Sequence, residues 1–143
     1  MAITMHLNIV SAEEEIFSGT VEAVFVPLQS GEVGIYPRHT PLIGEIKLGE
    51  VIVRSHEGEN EQRFFVSGGI LEVQPHVVTV LSDTAIRAKD LDESVALEAK
   101  RQAEKAMQGQ KADMDFAHAQ AELAEAVAQL NIIRKLREKK VSR

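Results

Sequence analysis

Side chains that can act as nucleophiles, general bases or metal ligands are sparse in this chain. Its 143 residues include five histidines and no cysteine, which excludes thiolate chemistry and zinc–sulfur sites. No histidine lies at metal-ligand spacing from another, so we predict structural or surface roles for His6, His56, His76 and His118. His39 differs because it lies in a loop bracketed by Pro37 and Pro41, and loops often carry binding residues. We predict no metal site and no bound cofactor.

Ser67-Gly68-Gly69 is the stretch to compare with a hydrolase nucleophile motif. A hydrolase elbow places its serine between a strand and a helix, whereas an apolar strand pattern follows here at residues 70–73. A turn, a bulge or a close backbone approach is the better interpretation. No glycine-rich phosphate loop leads into a helix, and the acidic run 13–15 has the pattern of a solvated loop. A small β-barrel hydrolase or isomerase remains a rival hypothesis that an activity screen would test.

The elements that must position these residues change character at about residue 88. All four prolines and eight of the nine glycines lie in residues 1–75, whereas residues 88–143 are rich in Ala, Glu, Lys, Arg, Gln and Leu. Frequent punctuation is typical of short strands and turns, and an uninterrupted stretch of helix formers favours long helices. We therefore predict two domains, a β-sandwich at residues 1–87 and an α-helical hairpin at residues 88–143.

The first domain shows the alternation of an antiparallel sandwich or barrel with about ten short strands. A hairpin turn is predicted at residues 57–60. The predicted strands are residues 4–10, 20–28, a short one ending at Ile35-Tyr36, then 42–48, 50–55, 62–66, 70–73 and 77–81.

The second domain predicts two antiparallel helices joined by a turn at residues 109–112. Asp90, with Glu93 three positions later, is the predicted N-cap of the first helix. Asp113 is the predicted N-cap of the second helix. The apolar face of the first helix is predicted at Val95, Ala99, Ala103, Ala106 and Met107. The second carries a near-heptad seam at Phe116, Ala119, Leu123, Ala126, Leu130 and Ile133, with Val127 beside it.

This hairpin is expected to be only marginally stable alone. Each large apolar side chain contributes about 1.5–3 kcal/mol on burial, whereas ordering the backbone costs about 1–2 kcal/mol per residue. The predicted packing residues are Phe116, Leu123, Val127, Leu130 and Ile133. We expect this apolar stripe to lie against the sandwich or, alternatively, to pack into another helical assembly.

Charge is divided unevenly between the domains. The formal net charge is −6, with −7 on residues 1–87 and +5 on the last ten residues, so generic nucleic-acid binding is disfavoured. The basic end has two interpretations. It is a solvated helix end with cations near the negative dipole, or it contacts an acidic partner, for which membrane headgroups and RNA are possible targets. An Ala-rich stripe without Trp is a weak candidate for membrane insertion, and no run approaches the length of a membrane span.

Two sequence blocks are specific when they occur together. Residues 31–37 read Gly-Glu-Val-Gly-Ile-Tyr-Pro, and residues 67–73 read Ser-Gly-Gly-Ile-Leu-Glu-Val. Further matching stretches are residues 11–13, 17–19, His39, 41–42, 78–81, 83–85, 90–93 and 121–124. In this order, and over essentially the whole chain, they resemble the epsilon subunit of bacterial F-type ATP synthases.

The resemblance implies a non-catalytic rotor subunit on the cytoplasmic face of a bacterial inner membrane. In that family the sandwich docks on the gamma subunit and on the ring of membrane c subunits; Ser30, Gly31, Glu32 and His39 are the positions implied to face the ring. The helical hairpin extends in one state into the hexamer of alpha and beta subunits and blocks ATP hydrolysis. Its implied contacts with an acidic segment of beta are Arg134, Lys135, Arg137, Lys139 and Lys140.

One motif of the family is broken in this chain. Some members bind ATP through Ile or Leu, Asp, two variable residues and Arg-Ala at the start of the first helix. Leu91, Asp92 and Ala96 match this pattern, but Val95 stands in place of the arginine, so a phosphate-binding guanidinium is missing. The ATP site is therefore not transferred. A free adaptor protein with a coiled-coil tail remains the rival from the binding class, and co-purification with gamma would decide between them.

Overall fold

The computed structural model describes residues 3–55, 61–109 and 113–141, except for the side chains of residues 113, 114 and 139–141. The chain divides into two compact units, Met1–Arg87 and Ala88–Arg143. The predicted turn at residues 57–60, residues 110–112 of the predicted turn at 109–112, and the side chains of Asp113, Lys139 and Lys140 lie outside the described residues. The predicted architecture, a β-sandwich followed by a two-helix hairpin, is confirmed.

Nine strands make up the described part of the first unit. They are β1 (Met5–Val10), β2 (Glu15–Leu28), β3 (Gly31–Ile35), β4 (Leu42–Ile46), β5 (Gly49–Ser55), β6 (Glu61–Val66), β7 (Gly69–Val73), β8 (Val77–Ser82) and β9 (Ala85–Arg87). Strand β2 begins five residues earlier than predicted, because its first half is half-exposed and polar and so lacks a clear alternation. The three-residue strand β9 was not predicted, since so short a segment carries no period of its own.

Hydrogen-bonded neighbours follow the order β1-β8-β7-β4-β2-β5-β6-β9, with further β2–β3 and β1–β2 pairs. Strand β2 takes part in both halves of this arrangement. Its first half pairs with β1 and its second half with β3 and β5. The register with β5 shifts between Val21 and Ala23, and such a bulge bends a strand. These pairings link the two layers of the sandwich.

One strand pair contradicts the antiparallel prediction. Strand β1 pairs with β8 in parallel, with Leu7 opposite Val78 and Ile9 opposite Val80. A period-2 alternation specifies which face of a strand is buried but not the direction of its neighbour, so the sequence pattern could not indicate this pairing. The remaining pairs are antiparallel.

The core of the first unit is formed by the inward side chains of these strands. Alternation is clean in β1, where Met5, Leu7 and Ile9 are buried. Phe64 is fully buried, and its ring lies edge-on to Phe17 with 5.7 Å between the centroids, a favourable aromatic geometry. The remaining large buried side chains include Val24, Val26, Ile35, Ile46, Val51, Val53, Leu71, Val78 and Val80. This core gives the sandwich a rigid framework.

The predicted close backbone approach at the glycine pair is confirmed. Gly69 has a φ of 142°, and a Cβ there would lie 1.9 Å from the Leu81 carbonyl oxygen. The buried Ser82 hydroxyl lies 2.6 Å from the Gly68 carbonyl oxygen and 2.8 Å from that of Thr84. Its single proton is shared between two carbonyls, which fixes the connection from β6 to β7 against β8.

The second unit starts with a short 3-10 helix, Ala88–Asp90, and continues as α1 (Glu93–Gln108) and α2 (Asp113–Val141). Asp90 was predicted to cap α1, and that prediction is wrong. The 3-10 turn, closed by the Leu91 N–H to the Ala88 carbonyl at 3.2 Å, includes Asp90 and delays the α-helix. Asp92 is the N-cap instead, and Gly109 ends the helix as predicted.

Candidate functional site

The serine and histidine side chains show no catalytic arrangement among the described residues. The Ser67 hydroxyl accepts the Thr84 N–H at 2.9 Å in a strand-to-strand connection, and no group of three or more His, Asp or Glu side chains in residues 3–55, 61–109 and 113–141 is placed to hold a metal. His6 Nε2 lies 3.0 Å from Asn8 Oδ1 and 3.1 Å from Ser18 Oγ, all on an exposed sheet face. Sequence reasoning missed this polar cluster, which links β1 to β2.

An exposed apolar row crosses the outer face of strands β1, β8, β7 and β4. Leu81 lies opposite Val10 on one side and opposite Ile70 on the other. Ile43 lies diagonally from Ile70, since Ile43 faces Glu72 and Glu45 faces Ile70. Ile43 is 72% exposed, Leu81 47% and Ile70 43%. We call Val10, Ile43, Ile70 and Leu81 the apolar row.

The apolar row was not singled out from the sequence, although a signal for it exists. A strand with one solvated face normally alternates apolar and polar residues. The pairs Ile70-Leu71 and Val80-Leu81 place apolar residues on both faces. Adjacent exposed apolar side chains on neighbouring strands are a common sign of an interaction surface.

The positions implied to contact the ring fall into two separate places. Ser30, Gly31 and Glu32 are exposed in the turn between β2 and β3, and the Gln29 N–H donates to the Glu45 carbonyl at 2.9 Å beside them. His39 lies beyond the other end of β3, where the Arg38 N–H donates to the Pro75 carbonyl at 2.8 Å. The five residues of β3 separate these places by about 13 Å, so the structure does not bring the four positions together.

Small residues dominate the buried surface of the helical hairpin. Ala96 and Ala103 are buried in α1, and Ala119 and Ala126 in α2. Each pair is seven residues apart, so both helices present small side chains one heptad apart. The larger seam residues are only half-buried: Phe116, Leu123, Leu130 and Ile133. Small side chains let two helices approach closely but bury little apolar area.

Two predicted details of the helix faces are wrong. Val95 is 62% exposed, and Ala99 and Ala106 are also exposed, so the inward face of α1 runs through Ala96, Ala103 and the half-buried Met107 instead. Val127 is 37% exposed and lies off the seam. A period-3.6 pattern rich in alanine does not identify one buried face, because alanine marks several faces as equally apolar.

The residue at the centre of a second buried face of α2, Ile132, was not singled out from the sequence. Ile132 is 3% exposed and lies about 140° around the helix from Ala119 at 100° per residue. Half-buried Ala128 and Leu136 flank it at four-residue spacing. That spacing is the signal by which this second stripe could have been recognised.

The basic end of α2 is exposed but not free of internal partners. The Arg137 guanidinium donates to the Glu93 carboxylate at the start of α1. Arg134 lies 4.0 Å from Glu138 on its own helix. Arg134 and Arg137 side chains are 66% and 63% exposed, and Lys135 is also exposed. The side chains of Lys139 and Lys140 lie outside the described residues.

Hydrogen bonds at the start of α1 occupy the carboxylate of the broken ATP motif. Asp92 Oδ1 accepts the Ser94 N–H at 2.9 Å, the Ser94 hydroxyl at 2.7 Å and the Val95 N–H at 3.3 Å. The Ser94 hydroxyl bond, followed by the two backbone bonds, lowers the pKa of Asp92 below its ordinary value. Val95 is exposed and Ala96 buried, and the Val95 side chain supplies no donor at the position where the motif has its arginine.

Comparison with protein families matches both units of the chain. Residues 4–88 match the beta-sandwich domain of the ATP synthase delta/epsilon chain, and residues 89–134 match its long alpha-helix domain. The matched boundary at 88/89 falls one residue after the end of the first compact unit at Arg87.

Two curated relatives are similar over nearly their full length. The ATP synthase epsilon chain of Nitrosococcus oceani is 62% identical over 97% of this chain and 99% of its own. The epsilon chain of Thioalkalivibrio sulfidiphilus is 59% identical over 96% of this chain and 97% of its own. The chain belongs to the epsilon-chain family of the F-type ATP synthase, the central-stalk subunits that the sequence blocks at residues 31–37 and 67–73 indicated.

Two solved structures with the same fold come from mitochondrial complexes. A chain of the Euglena gracilis mitochondrial ATP synthase (OSCP/F1/c-ring, rotational state 1) superposes with a TM-score of 0.77 at 19% identity, covering 87% of this chain and 78% of its own. A chain from the Tetrahymena thermophila mitochondrial ATP synthase (central stalk/c-ring) gives 0.60 at 11% identity, covering 90% and 96%. These likenesses establish the fold alone. Among the described residues, no helix is both long and apolar enough to cross a membrane.

Proposed function

We propose that this chain couples the gamma subunit to the membrane ring and restrains ATP hydrolysis with its helical hairpin, and that it does no chemistry itself. It works peripherally, on the cytoplasmic side of a bacterial inner membrane. Three surfaces of the chain make the proposed contacts: the apolar row, the β2–β3 turn and the basic end of α2.

The apolar row is the proposed gamma-docking surface. Ile43, Ile70 and Leu81 are each more than 40% exposed on a rigid sheet, and burying such side chains in an interface is favourable by about 25 cal/mol per Å² of apolar area. Glu45 and Glu72 lie beside them, so a partner surface with apolar side chains rimmed by lysine or arginine fits this face. Gamma is the partner that the family relationship supplies.

The β2–β3 turn is the proposed ring contact. It is exposed, and Gly31 has a φ of 127° with open space around its Cβ position. The tight turn therefore projects Ser30 and Glu32 outward. Because His39 lies at the far end of β3, we assign it to a surface separate from the ring contact.

One observation supports restraint of ATP hydrolysis by the hairpin: its buried seam consists of small side chains. Four alanines form the buried seam, while the larger seam residues Phe116, Leu123, Leu130 and Ile133 remain half-exposed. Apolar area is therefore still available for a second partner, and the difference between the two states is small enough for a partner to reverse. The partner is the alpha–beta hexamer, which the basic end of α2 approaches.

We also propose that the chain does not bind ATP at the start of α1. Asp92 Oδ1 is engaged by Ser94 and Val95 as a helix cap, and Val95 offers no donor to a phosphate. Titration calorimetry of the full chain with ATP should give no heat of binding. A Val95→Arg variant is the matched test of whether the missing guanidinium is the reason.

Deletion of residues 88–143 tests the regulatory proposal in the assembled complex. The truncated chain should still co-purify with gamma, since the sandwich has its own core, and ATP hydrolysis by the complex should rise. Retention of gamma with unchanged hydrolysis would remove restraint by the hairpin. Loss of gamma would instead contradict the docking surface.

A further inference from the structure

An ion pair joins the two helices of the hairpin at the end opposite residues 109–112, which connect them in sequence. Glu93 is the first residue of α1, and Arg137 lies four residues before the last residue of α2. The Arg137 guanidinium donates to the Glu93 carboxylate. By contrast, the pairs Glu98–Arg101, His118–Glu122 and Arg134–Glu138 each lie within one helix.

The helix geometry directs Arg137 towards α1. Arg137 follows the buried Ala119 by 18 residues, which is about five full turns, so both lie on the same side of α2. Glu93 lies in the positive first turn of α1 and Arg137 in the negative end of α2, where each charge is favoured by its own helix dipole. The antiparallel arrangement places these complementary ends side by side.

The position of the pair gives it influence over hairpin opening. The helices are connected in sequence through residues 109–112, at the opposite end from Glu93 and Arg137. Separation of α2 from α1 is expected to start at the end away from this connection, where local opening costs least. A contact at that end therefore acts on the first step of opening.

We propose that Glu93 is a competitor carboxylate, which holds Arg137 within the closed hairpin and so withholds it from the acidic partner. This inference rests on the proposed function, in which the basic end of α2 contacts the hexamer. Arg137 cannot lie against Glu93 and reach a distant partner at the same time, so the two contacts exclude each other. Glu93 and the partner carboxylate thereby set the balance between the closed and extended hairpin.

Replacing Glu93 tests the competition. Glu93→Gln should speed amide hydrogen exchange of residues 129–137 in the full-length chain by about 1.5- to 5-fold, the effect of losing one exposed ion pair. These amides lie on α2, so a purely local loss of the α1 dipole interaction would not change them. In the complex the same variant should increase the inhibited-to-active ratio by a similar factor.

Two variants with the same charge change are matched controls. Glu98→Gln removes a carboxylate that pairs within α1, and Glu138→Gln removes one next to Arg137 on α2. Neither pair joins the helices, so neither variant should speed exchange at residues 129–137 as Glu93→Gln does. If Glu98→Gln or Glu138→Gln has the same effect as Glu93→Gln, general electrostatics accounts for the change and the competition is overturned.

The effect of an Arg137 variant on inhibition distinguishes its contact with Glu93 from its contact with the partner. Arg137→Gln should also speed exchange but should not increase inhibition, because it removes the cation from both contacts. The charge swap Glu93→Arg with Arg137→Glu restores the ion pair but opposes both helix dipoles, so it should exchange more slowly than Glu93→Arg alone. Absence of that rescue, or stronger inhibition by Arg137→Gln, would overturn the proposal. If hydrolysis responds to deletion of residues 88–143 but not to Glu93→Gln, the competition fails while the proposed function stands.

Discussion

Gly69 lies so close to β8 that a Cβ on it would stand 1.9 Å from the Leu81 carbonyl oxygen. Gly69→Ala should therefore destabilise the sandwich by more than the about 1–3 kcal/mol that its strained φ alone costs, because the β7 and β8 backbones must move apart. Urea unfolding of the full chain measures this loss. Gly31→Ala is the control, since its φ is also positive but nothing lies within 4 Å of the Cβ. Equal losses in the two variants would contradict a steric role for Leu81.

Lysine substitution in the apolar row should weaken binding to gamma without unfolding the chain. Ile43→Lys with Leu81→Lys is expected to raise the dissociation constant at least tenfold, about 1.4 kcal/mol, because charged side chains would then be buried in the interface. The free energy of unfolding should change by less than about 0.5 kcal/mol per exposed site. Ile3→Lys is the control, since Ile3 is 62% exposed but lies outside the row. Undiminished gamma binding by the double variant would exclude this docking surface.

The Asp92 cap predicts a pH dependence of helix content. Hydrogen bonds from Ser94 and Val95 lower the pKa of Asp92 below its ordinary value of 3.8. Because the folded pKa is the lower one, the cap stabilises α1 above the unfolded pKa, and this contribution disappears as the pH falls through the folded pKa. Asparagine caps a helix comparably without titrating. The ellipticity difference at 222 nm between wild type and Asp92→Asn should thus change as the pH falls from the ordinary pKa of 3.8 through the lower folded pKa. A constant difference would contradict the charged cap.

Ile132 should matter more to stability than Val127, although Val127 and not Ile132 was among the predicted packing residues. Ile132→Ala is expected to cost about 2–5 kcal/mol, as buried large-to-small changes do, because its side chain is 3% exposed. Val127→Ala should cost less than about 1 kcal/mol, since that side chain is 37% exposed. Both changes introduce alanine, so the gain in helix propensity is comparable. Urea unfolding followed by helical ellipticity compares them; a larger loss for Val127→Ala would reject the second buried face.

Most strands were predictable because one-sided burial leaves a period-2 pattern, as in Met5, Leu7 and Ile9. The relative direction of two paired strands leaves no such pattern, and so the parallel β1–β8 pair was not predicted. The helix start was misplaced by two residues because Asp90 and Asp92 are equally good caps in sequence, and a 3-10 turn decides between them. Long-range geometry, rather than composition, determines these details.

The interaction surfaces were less predictable than the fold. The turn at Ser30–Glu32 and the loop at His39 share sequence features of exposed segments, but only the length of β3 separates them in space. The contact between Glu93 and Arg137 spans 44 positions, and its partners are ordinary surface charges in sequence. Charge content indicates that a helix end is basic, whereas the antiparallel arrangement decides which carboxylate it meets.

The parallel pairing of β1 with β8 has a consequence for synthesis. His6 lies opposite Val77 and Val10 opposite Leu81, so β1 completes its pairing only after residues 77–82 have emerged from the ribosome. Contacts this distant in sequence slow folding. The nascent sandwich must therefore wait, with β1 paired on one side only, until nearly the whole of its own domain has been translated.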